Sequence, residues 1–572
     1  MKNKIKIFRK LVRCASIALL SFSMAGCGAD FLDTTPTNNI SGSSIWTKAT
    51  LAEQAVIGVY NVFLDQYCPN SGILDSHRIP WDAYSSVMDT DKNWIKRMPN
   101  CTGAATPSSG LFSDIYKRFY TFIYRANDVI DNIGQVPDMS TGEKQRAIAE
   151  CKFLRAFAYM RLNILYKGVP LYMNAITSPE NGNKARSSEA DVWAAVLQDL
   201  TDCVNEPNLP GKYNSGDSNY GRVTKGAAYA LRGQVYMWQK NWEAAVDDFN
   251  SVADCGFGLY TKAGATSYKQ LLKIANEQCE EMIFSVQCIK QYGYSNTRNI
   301  TYGNRCTAGS MWNYLPNPHF VESFETATGE KFNWDNYLPG YSAMKEKERV
   351  VFFLRDGLSA AEKERMAAYG ADMNKYLDSG NEARIKKAYE SRDPRLQMAI
   401  ITPYAQYNGA SSGIAHTYTL RWPYRGSDSA EPFDIRTDTN DKFYYLWRKF
   451  VPEGLEQTER DTYGLDIPLI RYAEVLLLKA EALNEWGSTH ESEAIRCVNE
   501  VRRRAGHVEL NNATYPATKV NGQSDLRERI RNEYYWEIGG EDSMYFHELR
   551  WGTWKDKKFD NNRNGLMQMW GE

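Results

Sequence analysis

Apolar positions recur at helical spacing along most of this chain. In 46–63 the stripe is Ala55, Val56, Val59, Tyr60 and Phe63. In 111–133 it is Tyr116, Tyr120, Ile123, Asn127 and Ile130. A third helix is predicted from near Gly142 to Tyr166, with Phe153, Leu154, Tyr159 and Leu162 as core. Over 221–256 one stripe holds Val223, Ala227, Leu231, Val235 and Trp238, and the next holds Trp242, Ala245, Phe249 and Val252. Ala228, Gly233 and Ala245 are small enough to let two helices approach closely. The clearest helical hairpin spans 466–506. Ala473, Leu476, Leu477, Ala480 and Asn484 face inward on its first helix, and Ala494, Val498 and Val501 on its second. Asp466 is expected to cap the first helix, with Pro468 tolerated in the opening turn. Gly487 is expected to end it. Arg502, Arg503 and Arg504 are expected to complement the dipole at the end of the second. A closing helix is predicted over 526–551.

Antiparallel hairpins with small residues at the crossing are the units of helical repeat proteins, and 221–256 has the length and pattern of a tetratricopeptide repeat. The hairpins diverge too far for a regular array. From about 279 to 464 the helical pattern weakens. Short β-like runs appear at 281–287 and 442–449, among many Tyr, Asn and Gly. The expected fold is therefore mainly α: tetratricopeptide-like helical hairpins forming a scaffold, with a large loop-rich insertion containing short β segments. The corresponding partition is a signal peptide at 1–26, a lipidated tether at 27–45, helical parts at 46–278 and 465–572, and the loop-rich region at 279–464.

The first residues change the picture from a plain helical protein to an exported one. Lys2, Lys4, Lys6, Arg9, Lys10 and Arg13 precede a short apolar run from Ala15 to Phe22, too short to span a bilayer. Met24-Ala25-Gly26-Cys27 resembles a lipobox, which makes Cys27 the lipidated residue; ordinary signal cleavage beside a chance Cys is the other reading. Acidic Asp30 and Asp33 follow, then a Thr-, Asn-, Ser- and Gly-rich leash to Ser44. Lipid chains hold a protein to a membrane without a spanning segment.

Hydrophobic residues make up 43% and charged residues 24% of the chain, which is globular composition, and the net charge of −1 argues against nucleic acid as a partner. Nine Cys remain besides Cys14 and Cys27, with no CxxC pair and no His at zinc-ligand spacing, so no metal and no disulfide is assigned. Cys151 and Cys497 sit within helical patterns as small buried thiols. Asp89-Thr90-Asp91-Lys92-Asn93 starts like a calcium loop but lacks the required Gly and terminal Glu. No HExxH, GxSxG, GxGxxG or phosphate loop occurs. Arg155 beside Glu150 reads as a catalytic pair or, on a packed helix, as an ion pair.

Aromatic content of 13%, with 36 Tyr and 15 Trp, suits either a large core or a sugar-binding surface, because a pyranose presents an apolar C–H face to an aromatic ring. Two loops concentrate such residues. The first, about 68–109, holds Trp81, Asp82, Tyr84, Asp89, Asp91, Trp94 and Arg97, and loops this long usually have a function. The second holds Tyr292, Tyr294, Arg298, Tyr302, Asn304, Trp312 and Tyr314. Each ring serves either as a stacking platform or as an anchor of its loop to the core.

Five motifs in order resemble the SusD/RagB family. They are Phe153-Leu154-Arg155-Ala156 with Gly168-Val169-Pro170-Leu171, and Arg392-Asp393-Pro394-Arg395-Leu396. Next come Ile470-Arg471-Tyr472-Ala473-Glu474 with Ala480-Glu481-Ala482, then Asn499-Glu500-Val501-Arg502 with Arg504-Ala505-Gly506. The last is Glu528-Arg529 with His547-Glu548-Leu549-Arg550-Trp551. Asn532-Glu533-Tyr534 and Gly540-Glu541-Asp542-Ser543 depart from the family pattern, and its terminal PIP…NPGY segment has no counterpart before Glu572. The resemblance implies a non-enzymatic, outward-facing outer-membrane lipoprotein of Bacteroidetes, anchored through lipid on Cys27. It implies capture of oligosaccharides or polysaccharides, delivery to a SusC-like TonB-dependent transporter, and no cofactor. It also places the ligand face on the two long loops. The residues assigned there are Trp81, Asp82, Tyr84 and Trp94 from the first, and Arg298, Asn304, Trp312 and Tyr314 from the second. A RagB-like peptide binder and an all-helical glycoside hydrolase are the alternatives.

Overall fold

Two of the long helices begin on a capping box that the sequence supplies. Ser140 accepts from the Glu143 amide while Glu143 reaches back, opening Thr141–Tyr166; Ser188 and Asp191 do the same for Glu189–Asn205. The computed structural model describes residues 42–67, 80–90, 110–291, 293–307, 314–411, 413–425, 430–435, 442–456, 462–559 and 567–571. The signal peptide, Cys27, Trp94 and Trp312 lie outside these residues.

The scaffold is a succession of packed helices: α1 (Ala49–Tyr60), α2 (Gly110–Asn132), α3 (Thr141–Tyr166), α4 (Glu189–Asn205), α5 (Lys225–Gln239) and α6 (Trp242–Asp254). Neighbours in sequence pack on one another, and α6 packs on α7 (Tyr472–Trp486), which pairs with α8 (Glu491–Arg504). α5 and α6 approach closely. A Cβ on Gly233 would lie 2.4 Å from the Phe249 ring, itself buried, so glycine is required there. Gly233→Ala is expected to cost about 1–3 kcal/mol through overpacking, against a helix-propensity gain of about 1 kcal/mol. Urea denaturation at pH 7 measures it, and a stabilised variant would show that the crossing has slack.

The expected pairing of Arg155 with Glu150 does not form. Five residues apart on a helix, their side chains point about 140° from each other. Arg155 instead forks onto Asp199 at 2.7 and 2.8 Å and donates to Asn127 Oδ1 at 2.6 Å. Glu150 takes the Tyr60 hydroxyl at 2.8 Å and pairs with Arg222 at 3.1 Å. Both groups are buried and structural.

Asp466 is not a helix cap. The run Ile467–Arg471 is a strand, antiparallel to Met282–Val286, and α7 starts only at Tyr472. Ile467, Leu469 and Ile470 favour the extended form, and Pro468 is tolerated because a two-stranded sheet consists of edges. Asp466 accepts from the Cys288 amide at 2.7 Å. Gly487 ends α7 as its sequence position predicts.

The three arginines that close α8 also differ from expectation. Arg503 is exposed and pairs with Glu509, whereas Arg502 and Arg504 turn inward. They join a buried lattice in which Arg395, Arg471, Arg502, Arg504 and Lys449 face Asp393, Glu281, Glu325, Glu533, Glu537 and Glu541. Glu533, Glu537 and Glu541 follow one another down α9 (Gln523–Ile538) and its end. The motifs Arg392–Leu396, Ile470–Glu474 and Asn499–Gly506 therefore supply the ion lattice that locks the C-terminal helices to the insertion.

The predicted closing helix is two helices, α9 and α10 (Met544–Trp551), separated at 539–543. Gly540 has φ +87°, and a Cβ there would stand 3.0 Å from the Trp447 ring; Asp542 also has positive φ, at 72°. The 279–464 region contains helices and hairpins of its own, including Ala360–Tyr369, Asn381–Glu390 and the paired strands Gln406–Ser411 and Ile414–Thr419. Many of its rings form a core: Trp334 stacks on Tyr341 at 4.7 Å, and Trp422 lies 5.0 Å from Trp570.

Candidate functional site

Two segments far apart in sequence meet beside the break between α9 and α10. A short turn, Trp81–Tyr84, leads into the strand Met88–Asp89, which pairs antiparallel with Leu315–Pro316. The Asp82 carboxylate accepts from the amides of Gly540 at 2.8 Å and Met544 at 2.9 Å. The Asp82 amide contacts Asp542 at 3.4 Å, and the other oxygen of Asp542 pairs with Arg298 at 2.7 Å. Arg298 also lies 4.2 Å from the Phe450 ring centre, a cation–π distance. The first loop and the second are thus joined through Asp542. Burial, and secondarily Asp542, push the Asp82 carboxyl up to about 8.

The two loops assigned to a ligand face do come together, but the described side chains among them meet as an interior. Trp81 is 5% exposed, lies parallel to Tyr545 at 6.3 Å and packs on Phe546 at 5.1 Å. It thus stands among protein rings and is almost fully covered. Asp82, Arg298, Asn304 and Tyr314 are buried as well. Asn304 accepts from the Cys306 amide at 2.8 Å, and the Tyr314 amide donates to Thr301 at 3.0 Å. As folded, these five residues build the node rather than a stacking surface. Tyr84 is half-buried, tilted against Trp81 and Tyr545. Trp94 and Trp312 lie outside the described residues.

A cleft of about 390 Å³ opens beside the node, lined by Ser86, Asn317, His319, Phe320, Ser323, Asn532, Tyr535, Thr553, Asp556, Lys557 and Lys558. Behind two of the lining residues stands a buried carboxylate, Glu548, which accepts from the Ser86 amide at 3.1 Å, from the Ser86 hydroxyl, and from the Tyr535 hydroxyl at 2.8 Å. Burial pushes the Glu548 carboxyl up, while the Ser86 and Tyr535 hydrogen bonds oppose the shift. Lys558 ties the wall to the first loop through the Ala83 and Met88 carbonyls and Asp89, at 2.9–3.1 Å. Asn317 Nδ2 donates to Asp89 at 2.9 Å. Amide, imidazole, ammonium and carboxylate groups thus surround a small, preshaped opening, a donor and acceptor set that suits a hydroxyl-rich ligand. Sequence reasoning missed these residues, because they come from three distant segments and match no motif. Among the described residues, no group of three or more His, Cys, Asp or Glu side chains is arranged to hold a metal ion, and no helix is long and apolar enough to cross a membrane.

Comparisons with known proteins cover both halves of the chain. A family model described as the SusD family matches residues 280–571, and one described as starch-binding associating with outer membrane matches residues 30–237. A SusD-like protein, P25, of Formosa agariphila is 22% identical over 551 residues, 94% of this chain and 89% of the relative. A solved SusD-like carbohydrate binding protein from Bacteroides fragilis superposes with TM-score 0.68 at 22% identity, over 90% of this chain and 88% of that one. A solved laminarin binding SusD-like protein superposes with TM-score 0.60 at 20% identity, over 91% and 96%. At such identities the structural likeness establishes the shared helical fold.

Proposed function

The chain belongs to the SusD family, and from that premise we propose that it is a non-enzymatic glycan-binding protein of the outer membrane. It captures oligosaccharides or polysaccharides and hands them to a SusC-like TonB-dependent transporter, held at the surface by lipid on Cys27. The observation that carries this reading is the polar cleft at the junction of the two loops. Asn317, His319, Asn532, Asp556 and Lys557 offer hydrogen bonds to sugar hydroxyls. Trp94 follows Asp89 by five residues and Trp312 precedes Leu315 by three, and Asp89 is paired with Leu315. We assign these two tryptophans the stacking role and Tyr84 a place at the rim. Capture is by shape and ring contact on a preformed surface, without a covalent step, and the affinity of such an open site is modest. The starch, carbohydrate and laminarin named for related proteins support the ligand class.

The test uses residues 28–572 against polysaccharides and peptides in affinity gels, then calorimetry, with product analysis on the same samples. Retardation by a glycan with no new reducing ends is expected. Trp312→Ala should weaken it about tenfold, the effect of losing one ring contact with its buried area. Release of sugar products would remove the non-enzymatic assignment, and binding of peptides alone would replace the ligand class.

A further inference from the structure

A second groove lies on the helical scaffold, and its lining shares no residue with the cleft. Its volume is about 280 Å³, and its walls are α2 on one side and the extended segment 170–176 on the other. Tyr116, Tyr120 and Tyr124 succeed one another on one face of α2, four residues apart, and the rings of Tyr116 and Tyr120 pack on each other at 4.6 Å. Tyr172 stands across from them, with its ring 6.0 Å from that of Tyr120. Tyr124 is 57% exposed and Ile176 41%, one on each lip.

The facing wall is rigid. Asn127 Nδ2 donates to the carbonyls of Tyr172 at 2.8 Å and Asn174 at 3.1 Å, and Arg155 donates to that of Met173 at 2.8 Å. The Tyr120 hydroxyl donates to the Pro170 carbonyl at 2.7 Å, and Asp131 accepts from the Ala175 amide at 2.7 Å. The carbonyls of residues 170–174 are therefore occupied internally, Lys184 lies over the Tyr172 ring at 5.3 Å, and the ring the groove exposes most is Tyr124. Recognition by ring faces selects a flat apolar surface, such as the C–H face of a pyranose, and tolerates many sugars. The size also decides against a protein. A stable protein interface buries about 1,200 Å² or more, while a groove of about 280 Å³ approaches the lower limit for small-molecule sites.

We propose that this tyrosine groove is a second glycan-binding site, one that holds a further sugar unit of a long polysaccharide while the loop site engages another. The inference rests on the glycan-capture reading above. Two contacts to one polymer raise retention through effective concentration, without either site being tight.

The experiment titrates starch, laminarin and xyloglucan oligosaccharides into the protein and into a Trp94→Ala/Trp312→Ala variant by calorimetry, with affinity gels of the parent polysaccharides alongside. The loop variant should keep weak binding, and adding Tyr124→Ala to it should lower that residual affinity about tenfold. Ala175→Trp, which fills the groove, should do the same, and circular dichroism checks that each variant is folded. Tyr124→Ala alone should reduce polysaccharide retardation severalfold while leaving short-oligosaccharide affinity at the loop site unchanged. Complete loss of binding in the loop variant overturns the second site and leaves glycan capture standing. Residual binding insensitive to Tyr124→Ala and Ala175→Trp also overturns it. If the unmodified protein binds none of these glycans, the capture reading falls, and the groove proposal falls with it.

Discussion

Glu537→Ala is expected to destabilise the protein by about 3–5 kcal/mol, because it leaves buried cations without their shared partner. Glu537 is fully buried and sits among Arg471 at 2.8 Å, Arg395 at 3.3 Å and Arg504. Those arginines come from the end of the strand Ile467–Arg471, from the Arg392–Leu396 motif and from the end of α8, so one carboxylate holds three elements to α9. Burial alone would raise its pKa, but Arg504, Arg471 and Arg395 together hold it far below the usual carboxylate range. Asp393 is likewise fully buried; burial is outweighed by Arg395 and His507, and its pKa falls to about 2. Carboxyls depressed in this way contribute stability that is present above their unfolded pKa values, near 4, and lost as pH falls through the folded ones. Urea unfolding at pH 7 and along an acid series measures both effects. A loss below about 1 kcal/mol for Glu537→Ala would mean that water or side-chain rearrangement replaces the carboxylate.

Between pH 5 and 9 the opposite sign should appear. Asp82 and Asp466 are each pushed up to about 8, in both cases chiefly by burial and next by a neighbouring carboxylate, Asp542 and Glu277 respectively. A carboxyl raised on folding contributes stability that is fully present below its unfolded pKa, near 3.8, and lost as pH rises through the folded value. Stability should therefore decline by about a few kcal/mol from pH 5 to pH 9. Asp82→Asn and Asp466→Asn should each flatten part of that slope. Asp82→Asn will also lower stability at pH 5 by about 1 kcal/mol, since an amide nitrogen cannot accept from both the Gly540 and Met544 amides as the two carboxyl oxygens do. The diagnostic quantity is the slope rather than the intercept. An unchanged slope in both variants would show that these carboxylates are ionised in the fold at neutral pH. Because Asp82 links the first loop to the α9–α10 break, opening of this node is expected to be easier at high pH.

The helices were legible because their stripes are local. Ala473, Leu476, Leu477 and Ala480 sit at a spacing that only one face of a helix brings together, and all are buried. Gly487 and Gly233 were legible for the same reason, since a stop and a close crossing are set by what the residue lacks. The polar residues were less legible. Asp466 has the chemistry of a cap and Arg502 and Arg504 that of a solvated helix end, yet each takes a partner from far along the chain.

The sequence by itself therefore determined the helical scaffold, the loop-rich insertion and the resemblance to SusD proteins, because periodicity and short motifs are written within one element's length. Only the tertiary structure decided where Trp81, Asp82, Arg298, Asn304 and Tyr314 stand, and it buries all five. Trp81 and Arg298 have the chemistry of sugar ligands, and whether a ring stacks on a sugar or on Tyr545 depends on which atoms reach its face first. That is set by contacts such as Asp82 with Gly540, made across more than four hundred residues of chain. The cleft lined by Ser86, Asn317 and Asn532 and the tyrosine groove arise in the same way, from side chains whose proximity has no counterpart in their order.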